Sequence, residues 1–352
     1  MLSLLSEPQA VALVGLFGGV LLGLAARLGR FCSLGAIEDA LYGGSDIRLR
    51  MWGLAVGAAV IGTFALIGMG WLDGGATYYL SIRWMPLAAV IGGLMFGYGM
   101  ALAGNCGYGA IARLGGGDLR SFVVVLVMGV SAYAVMSGPL APLRDLFFHQ
   151  EAVTNGTPPG IAHHIAGLTH LPVASVGIAL GLAICAVALA SSAFRRDLKA
   201  VTWSLVVALA IVSGWAGTAY VQSHGFAATP VVSHSFSAPV GETILYAMTG
   251  SARALSFAVG SVAGVWIGAF IGSLSKGHFR WEACEDPREL RRQIVGSAIM
   301  GAGAVLALGC TVGQGLSALS VLALSAPLTV AAIFAGAALG LRQLIEGFRT
   351  AI

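Results

Sequence analysis

Three cysteines stand in one local frame: Cys32-Ser33-Leu34-Gly35, Cys106-Gly107-Tyr108-Gly109 and Cys310-Thr311-Val312-Gly313. A thiol offers a weak S–H donor and a polarizable sulfur, which suits a ligand that itself carries a soft sulfur. The glycines, Gly35, Gly109 and Gly313, permit a tight turn or a close backbone approach. Amides freed at the start of a following short helix can face a bound anion. For any single cysteine in an apolar chain, packing as a small hydrophobe is a strong alternative. Three in one frame, two of them at repeated positions, argue for chemistry. Gly97-x8-Cys106-x2-Gly109 and Gly301-x8-Cys310-x2-Gly313 lie 204 residues apart. Glu38-Asp39-Ala40-Leu41-Tyr42 and Glu242-Thr243-Ile244-Leu245-Tyr246 share that offset, so the chain reads as a duplicated half. Cys32 maps onto Phe236, so the symmetry of the thiols is incomplete.

Other reactive side chains invite blander readings. Arg27 and Arg30 precede Cys32 and could raise the anion concentration at a mouth, although topology determinants look the same. Glu38 and Glu242 sit on short helices. A carboxylate at membrane depth suggests function, but capping of free helix amides is the preferred role. His149, His163, His164, His170, His224 and His234 have no regular metal spacing and read as solvated loop residues. Cys185 reads as packing, and Cys284 as a surface thiol in an acidic loop. The absence of a P-loop pattern argues against ATP hydrolysis, and no cofactor is expected.

The elements that must position these residues are membrane helices. The chain has 352 residues, 57% hydrophobic and 10% charged, against about 25% charged in soluble domains. Its mean hydropathy is +0.88. Apolar stretches near 8–26, 51–72, 86–105, 120–138, 172–193, 201–222, 254–275, 293–310 and 325–342 are long enough to cross a bilayer as helices. No basic residue precedes Arg27, so the first span is expected to be retained rather than cleaved. With the N-terminus outside and the C-terminus cytoplasmic, the outer loops keep only Arg83, Arg144 and Arg253 of the 19 basic residues. The net charge of +4 is thereby absorbed as topology and not as nucleic-acid binding. Every-fourth-residue glycines (Gly260, Gly264, Gly268, Gly272; Gly19/Gly23; Gly93/Gly97; Gly336/Gly340) predict closely packed helices.

This topology makes the two halves opposite in orientation. The expectation is an all-α integral membrane protein, a single transmembrane domain over 1–352. It divides into a first repeat at 8–138, an outer loop and linker span at 139–200, and a second, inverted repeat at 201–345. About nine transmembrane helices result, with short re-entrant half-helices at the centre over 29–45, 226–246 and the stretches after Cys106 and Cys310. Non-helical backbone at that depth is tolerated only beside protein or a water-filled cavity. Transporters of this build bind cargo near the midplane. The loop 138–171 is expected to cap the outer face.

GRFCSLGAIEDAL, ALAGNCGYGAIARL and ALGCTVGQGLSAL resemble signature segments of the YeeE/YedE family of sulphur-transport membrane proteins, and the resemblance covers nearly the whole chain. It implies a bacterial inner-membrane protein of nine spans with inverted repeats. It implies thiosulfate, or a related small sulfur-containing anion, as cargo, passed between three central thiols by S–H···S contacts. By motif those thiols are Cys32, Cys106 and Cys310. It also implies a small cytosolic sulfur-carrier partner of the TusA-like kind. The loop 138–171 departs from the compact family pattern, and some relatives handle other sulfur or selenium species. The rival reading is an intramembrane thiol-disulfide oxidoreductase, which would need two cysteine Cα atoms within about 7 Å.

Overall fold

Helices form at each of the apolar stretches, in a computed structural model that describes residues 6–150, 158–226, 229–283 and 286–347. Cys284 lies outside the described residues. The order is α1 (Glu7–Leu28), α2 (Ser33–Glu38) continued by a π turn (Asp39–Gly43), α3 (Ile47–Gly68), a 3-10 turn (Gly74–Ala76), α4 (Pro86–Ala103), α5 (Gly107–Leu114), α6 (Leu119–Met136), α7 (Ala141–Phe147), α8 (Ile161–Thr169), α9 (Val173–Leu189), α10 (Ser192–Arg196), α11 (Leu198–His224), α12 (Ala238–Thr249), α13 (Phe257–Ser275), α14 (Pro287–Leu306), a π turn (Gly313–Ala318) and α15 (Ser325–Glu346).

Among the described residues, seven spans are long and apolar enough to cross a membrane: α1, α3, α4 with α5, α6, α11, α13 and α15. The pair α8 and α9, bent by 119° at its junction, would make an eighth. α14 falls outside this set because Arg288, Glu289, Arg291 and Arg292 fill its first two turns. The chain is therefore a multi-pass membrane protein with seven or eight clear spans.

Glycines decide how closely the helices meet. A Cβ on Gly19 would strike the Ser261 carbonyl, and one on Gly264 would come 2.9 Å from the Gly19 Cα. Only glycine lets these two backbones touch, which supplies the van der Waals contact that drives association in lipid. The contacts Gly15 to Phe257, Gly19 to Ser261 and Gly23 to Val265 advance together, so α1 and α13 run parallel. Gly97 meets Ile333 and Gly340 meets Tyr98, and α4 lies on α15 in the same parallel way.

Packing follows the 204-residue offset. α1 packs on α13 and its counterpart α11 on α3; α4 packs on α15 and its counterpart α14 on α6. Counterparts that touch each other run antiparallel. Glu7 accepts from the Phe226 amide beyond the end of α11 at 2.6 Å, while Gly29 beyond the other end of α1 meets Trp203 near the start of α11. Gly92 likewise meets Ala307, and Gly99 meets Gly296. The backbone breaks match too. Gly104 ends α4 at φ 76, and Leu308, at the same place after α14, holds φ 55. A left-handed conformation costs a non-glycine residue roughly 1–2 kcal/mol, so packing imposes this break even where the residue disfavours it.

The loop 138–171 carries α7 and α8. Its far end is pinned to the chain after the second π turn, where the Ile161 amide donates to the Leu322 carbonyl at 2.7 Å and Leu324 to Pro159 at 3.0 Å.

Candidate functional site

Each of the three thiols takes the place usually held by a capping oxygen. The Gly35 amide donates to Cys32 Sγ at 3.5 Å, Gly109 to Cys106 Sγ at 3.3 Å and Gly313 to Cys310 Sγ at 3.4 Å. Cys310 accepts a further bond from the Phe236 amide at 3.3 Å and lies 3.7 Å from Ser235 Oγ. Phe236, the residue in the place of a fourth thiol, thus contributes its backbone to the neighbouring sulfur. None of the frame glycines has a positive φ. They are required for close approach instead: a Cβ on Gly313 would sit 2.7 Å from Ser235 Oγ and 2.9 Å from the Tyr79 hydroxyl, and one on Gly35 would collide with Arg48 Nη1.

The frames converge. Ser33 follows Cys32, Thr311 follows Cys310, and Ser33 Oγ donates to Thr311 Oγ1 at 3.3 Å. Cys106 lies against both hydroxyls and within electrostatic reach of Cys32. Tyr108 covers this knot, its hydroxyl donating to the Leu22 carbonyl at 2.6 Å and its ring 5.5 Å from that of Phe236. Cys106 and Cys310 are fully buried, whereas Cys32 is partly exposed. The described thiols, Cys185 included, are all free.

Two cavities of about 450 Å³ each lie beside the cysteine frames, one lined by Cys32, Gly35 and Gly109 and the other by Ser235 and Gly309, next to Phe236 and Cys310 in the chain. One is basic, lined by Arg27, Arg30, Arg48, Arg113, Lys276 and His278, with Glu38, Gly35, Gly109 and Cys32 at its floor. The other, the hydroxyl cavity, sets the hydroxyls of Tyr78, Tyr79, Ser233, Ser235 and Ser237 with Arg144 and Glu242 in a largely apolar wall that includes Val232, Leu255, Phe257 and Leu308. Pro8 and Val11 of α1 line the hydroxyl cavity and Ala26 and Arg27 the basic one, so helical rise separates the two by roughly 22–28 Å. A third cavity, of about 650 Å³ between α3, α9 and α15, reaches Ser33 and Thr311; Trp52, Val56, Ile184 and Phe334 give it a mainly apolar wall, with Arg50 and Asp46 also lining it.

Within the basic cavity, Arg27 Nε donates to Ser273 Oγ at 2.7 Å, and Arg48 pairs with Asp39 at 3.1 Å. With the Asn105 amide oriented by its hydrogen-bond network, its oxygen accepts from Arg113 Nε at 2.7 Å and Nη1 at 3.0 Å.

The sequence-derived candidates therefore divide. Cys32 lies within electrostatic reach of Cys106, Cys310 is joined to them through its neighbour Thr311, and Arg27 and Arg30 line the cavity that Cys32 also lines. Glu38 and Glu242 do not cap. Glu38 is the last residue of α2, whose cap is the Cys32 sulfur, and Glu242 is the fifth residue of α12. They line opposite cavities instead. His234 is fully buried rather than solvated, with Nδ1 2.6 Å from Ser261 Oγ. Ser33, Thr311, Ser235, Tyr79, Arg48 and Arg113 went unnoticed in the sequence. The first two had a signal, as hydroxyl residues directly after repeated cysteines; the others are brought in by distant segments.

Residues 28–339 match the family described as sulphur transport. The chain is 26% identical over 323 residues to the thiosulfate transporter TsuA of Escherichia coli K12, covering 87% of each chain. It is 26% identical over 333 residues to the thiosulfate transporter TsuA of Spirochaeta thermophila, covering 88% of this chain and 92% of that one. A shorter match, 29% over 144 residues, links it to the probable transporter YedE of Escherichia coli K12, covering 40% of this chain and 34% of that one. By these matches the chain belongs to the sulphur transport (YeeE/YedE) family, as a transporter rather than an enzyme.

Proposed function

We propose that the protein carries thiosulfate, or a closely related small sulfur-containing dianion, into the cytoplasm along Cys310, Cys106 and Cys32 in that order. The contact of Ser33 with Thr311 beside Cys106 carries this reading, because it links all three cysteine frames. Ser235 and Gly309 line the hydroxyl cavity beside Cys310, and Cys32 opens on the basic one. Each sulfur already accepts an amide N–H, which leaves its own S–H hydrogen as the donor to a passing sulfur atom. The relay asks only for hydrogen-bond donation by the thiols and for no nucleophilic attack. Arg27, Arg30 and the frame glycines serve as supporting residues.

The architecture that goes with this function is a pair of inverted repeats, 8–138 and 201–345, joined through 139–200, with nine crossings once α9 and α14 are included. The antiparallel contacts of α1 with α11 and of α4 with α14 support it, as an in-plane two-fold axis requires. The positive-inside bias supports an N-terminus outside and a basic cavity facing the cytoplasm of a bacterial inner membrane. A TusA-like sulfur carrier would meet that face, and cross-linking in membranes to such a partner tests it.

The functional test is uptake of labelled thiosulfate into proteoliposomes, with sulfate and selenite as competitors. Loss of uptake in Cys106→Ala and Cys310→Ala, with normal membrane insertion, is expected; wild-type uptake in both would sink the relay.

A further inference from the structure

The basic cavity holds more positive charge than topology alone explains. Arg27, Arg30, Arg48, Arg113 and Lys276 line it against one lining carboxylate, Glu38. Like charges are crowded together in it. Arg27 and Arg113 lie within electrostatic reach of each other. The Lys276 ammonium is held below its ordinary range, mainly by Lys199, with smaller contributions from desolvation and Arg30. Local acids relieve this only in part, with Asp118 and Glu282 acting on Arg27 from a distance. Asp39 is engaged by Arg48, and Asp118 and Glu282 are engaged by Arg120 at 3.3 and 3.7 Å. A volume of about 450 Å³ corresponds to roughly fifteen waters at about 30 Å³ each, ample for a hydrated dianion.

We propose that this cavity is a second binding site, for dianionic oxyanions in general, and that its occupancy from the open side blocks the path beside Cys32. The proposal builds on the transport reading above but differs from it in chemistry. Thiols select for a soft sulfur, whereas guanidinium forks and an ammonium bind sulfate or phosphate oxygens equally well. The site therefore takes anions that the thiols do not pass. It also has an energetic use. Bringing two negative charges inward against an inside-negative potential costs on the order of 5 kcal/mol per 100 mV, and a cationic well at the inner end offsets part of that. The consequence is inhibition from one side, in which cytoplasmic sulfate slows thiosulfate entry without being carried.

Cys32 is the reporter, since it floors the cavity while Cys106 and Cys310 are buried. In a Cys185→Ala/Cys284→Ala background, alkylation of Cys32 by N-ethylmaleimide is followed in detergent by mass spectrometry. Sulfate at ten times its dissociation constant should slow the reaction about tenfold by mass action, compared with chloride at equal ionic strength. Arg113→Gln and the exposed Lys276→Gln should each weaken the protection. Alkylation unchanged by sulfate overturns the site, as does protection that both variants retain. Protection by vesicles containing an anionic lipid but not by sulfate assigns the cavity to lipid headgroups and also overturns it. This readout needs no transport. If uptake proves independent of the thiols while sulfate still protects Cys32, the relay fails and the site stands. If uptake needs the thiols but internal sulfate neither protects nor inhibits, the reverse holds.

Discussion

The Ser33 hydroxyl meets the Thr311 hydroxyl at 3.3 Å across 278 positions of chain. Each residue directly follows a thiol, so one buried contact couples the first and third cysteine frames, with Cys106 against both. A displacement of α2 is thereby felt at Cys310.

Removing one of these hydroxyls should leave the other buried with a weakened set of partners. Thr311→Val is expected to destabilise the protein by about 1–3 kcal/mol. The Ser33→Ala/Thr311→Val double variant should lose less than the sum of the two singles. Thermal unfolding in detergent, read as a double-mutant cycle, measures this; additivity would mean that the two hydroxyls do not interact.

Replacing sulfur by oxygen separates softness from hydrogen bonding. Cys106→Ser keeps a donor and an acceptor for the Gly109 amide but loses the polarizable atom. Thiosulfate uptake is expected to fall at least about tenfold, equivalent to 1.4 kcal/mol, with the unfolding temperature little changed. Uptake at the wild-type rate would show that the sulfur is dispensable there.

Gly313 is where the second repeat leaves room for the Ser235 and Tyr79 hydroxyls. Gly313→Ala should displace both from the floor of the hydroxyl cavity and reduce uptake more than it reduces stability. Equal losses in the two measurements would assign Gly313 to packing alone.

The α1–α13 seam gives a purely structural prediction. Gly264→Leu would drive a side chain into the α1 backbone at Leu16 and Gly19, and overpacking of this kind costs about 1–3 kcal/mol or more. A lower unfolding temperature and poorer recovery in detergent are expected. A variant as stable as wild type would mean that the two helices can separate without penalty.

Much of this protein is written locally. Hydropathy over about 20 residues determines where helices form, and the predicted stretches and the observed helices agree to within a few residues at most ends. The end of α14 moved earlier because Leu308 and Gly309 take positive φ values that break the helix. The thiol caps were not anticipated, capping having been expected of Glu38 and Glu242, although each bond is local, from an amide three residues on to the sulfur. The glycine spacing indicated close packing, which the α1–α13 and α4–α15 contacts show. Tertiary structure alone decided which segments meet. Local spacing did not disclose that Ser33 would touch Thr311, that Arg48 would lie over Gly35, or that His234 would be buried against Ser261. Nor did it reveal that Glu38 and Glu242, alike in sequence, face different cavities. The physical reason is range. Hydropathy, capping and charge bias act within a turn or a span, whereas a cavity is bounded by side chains that only the folded packing of distant helices brings together.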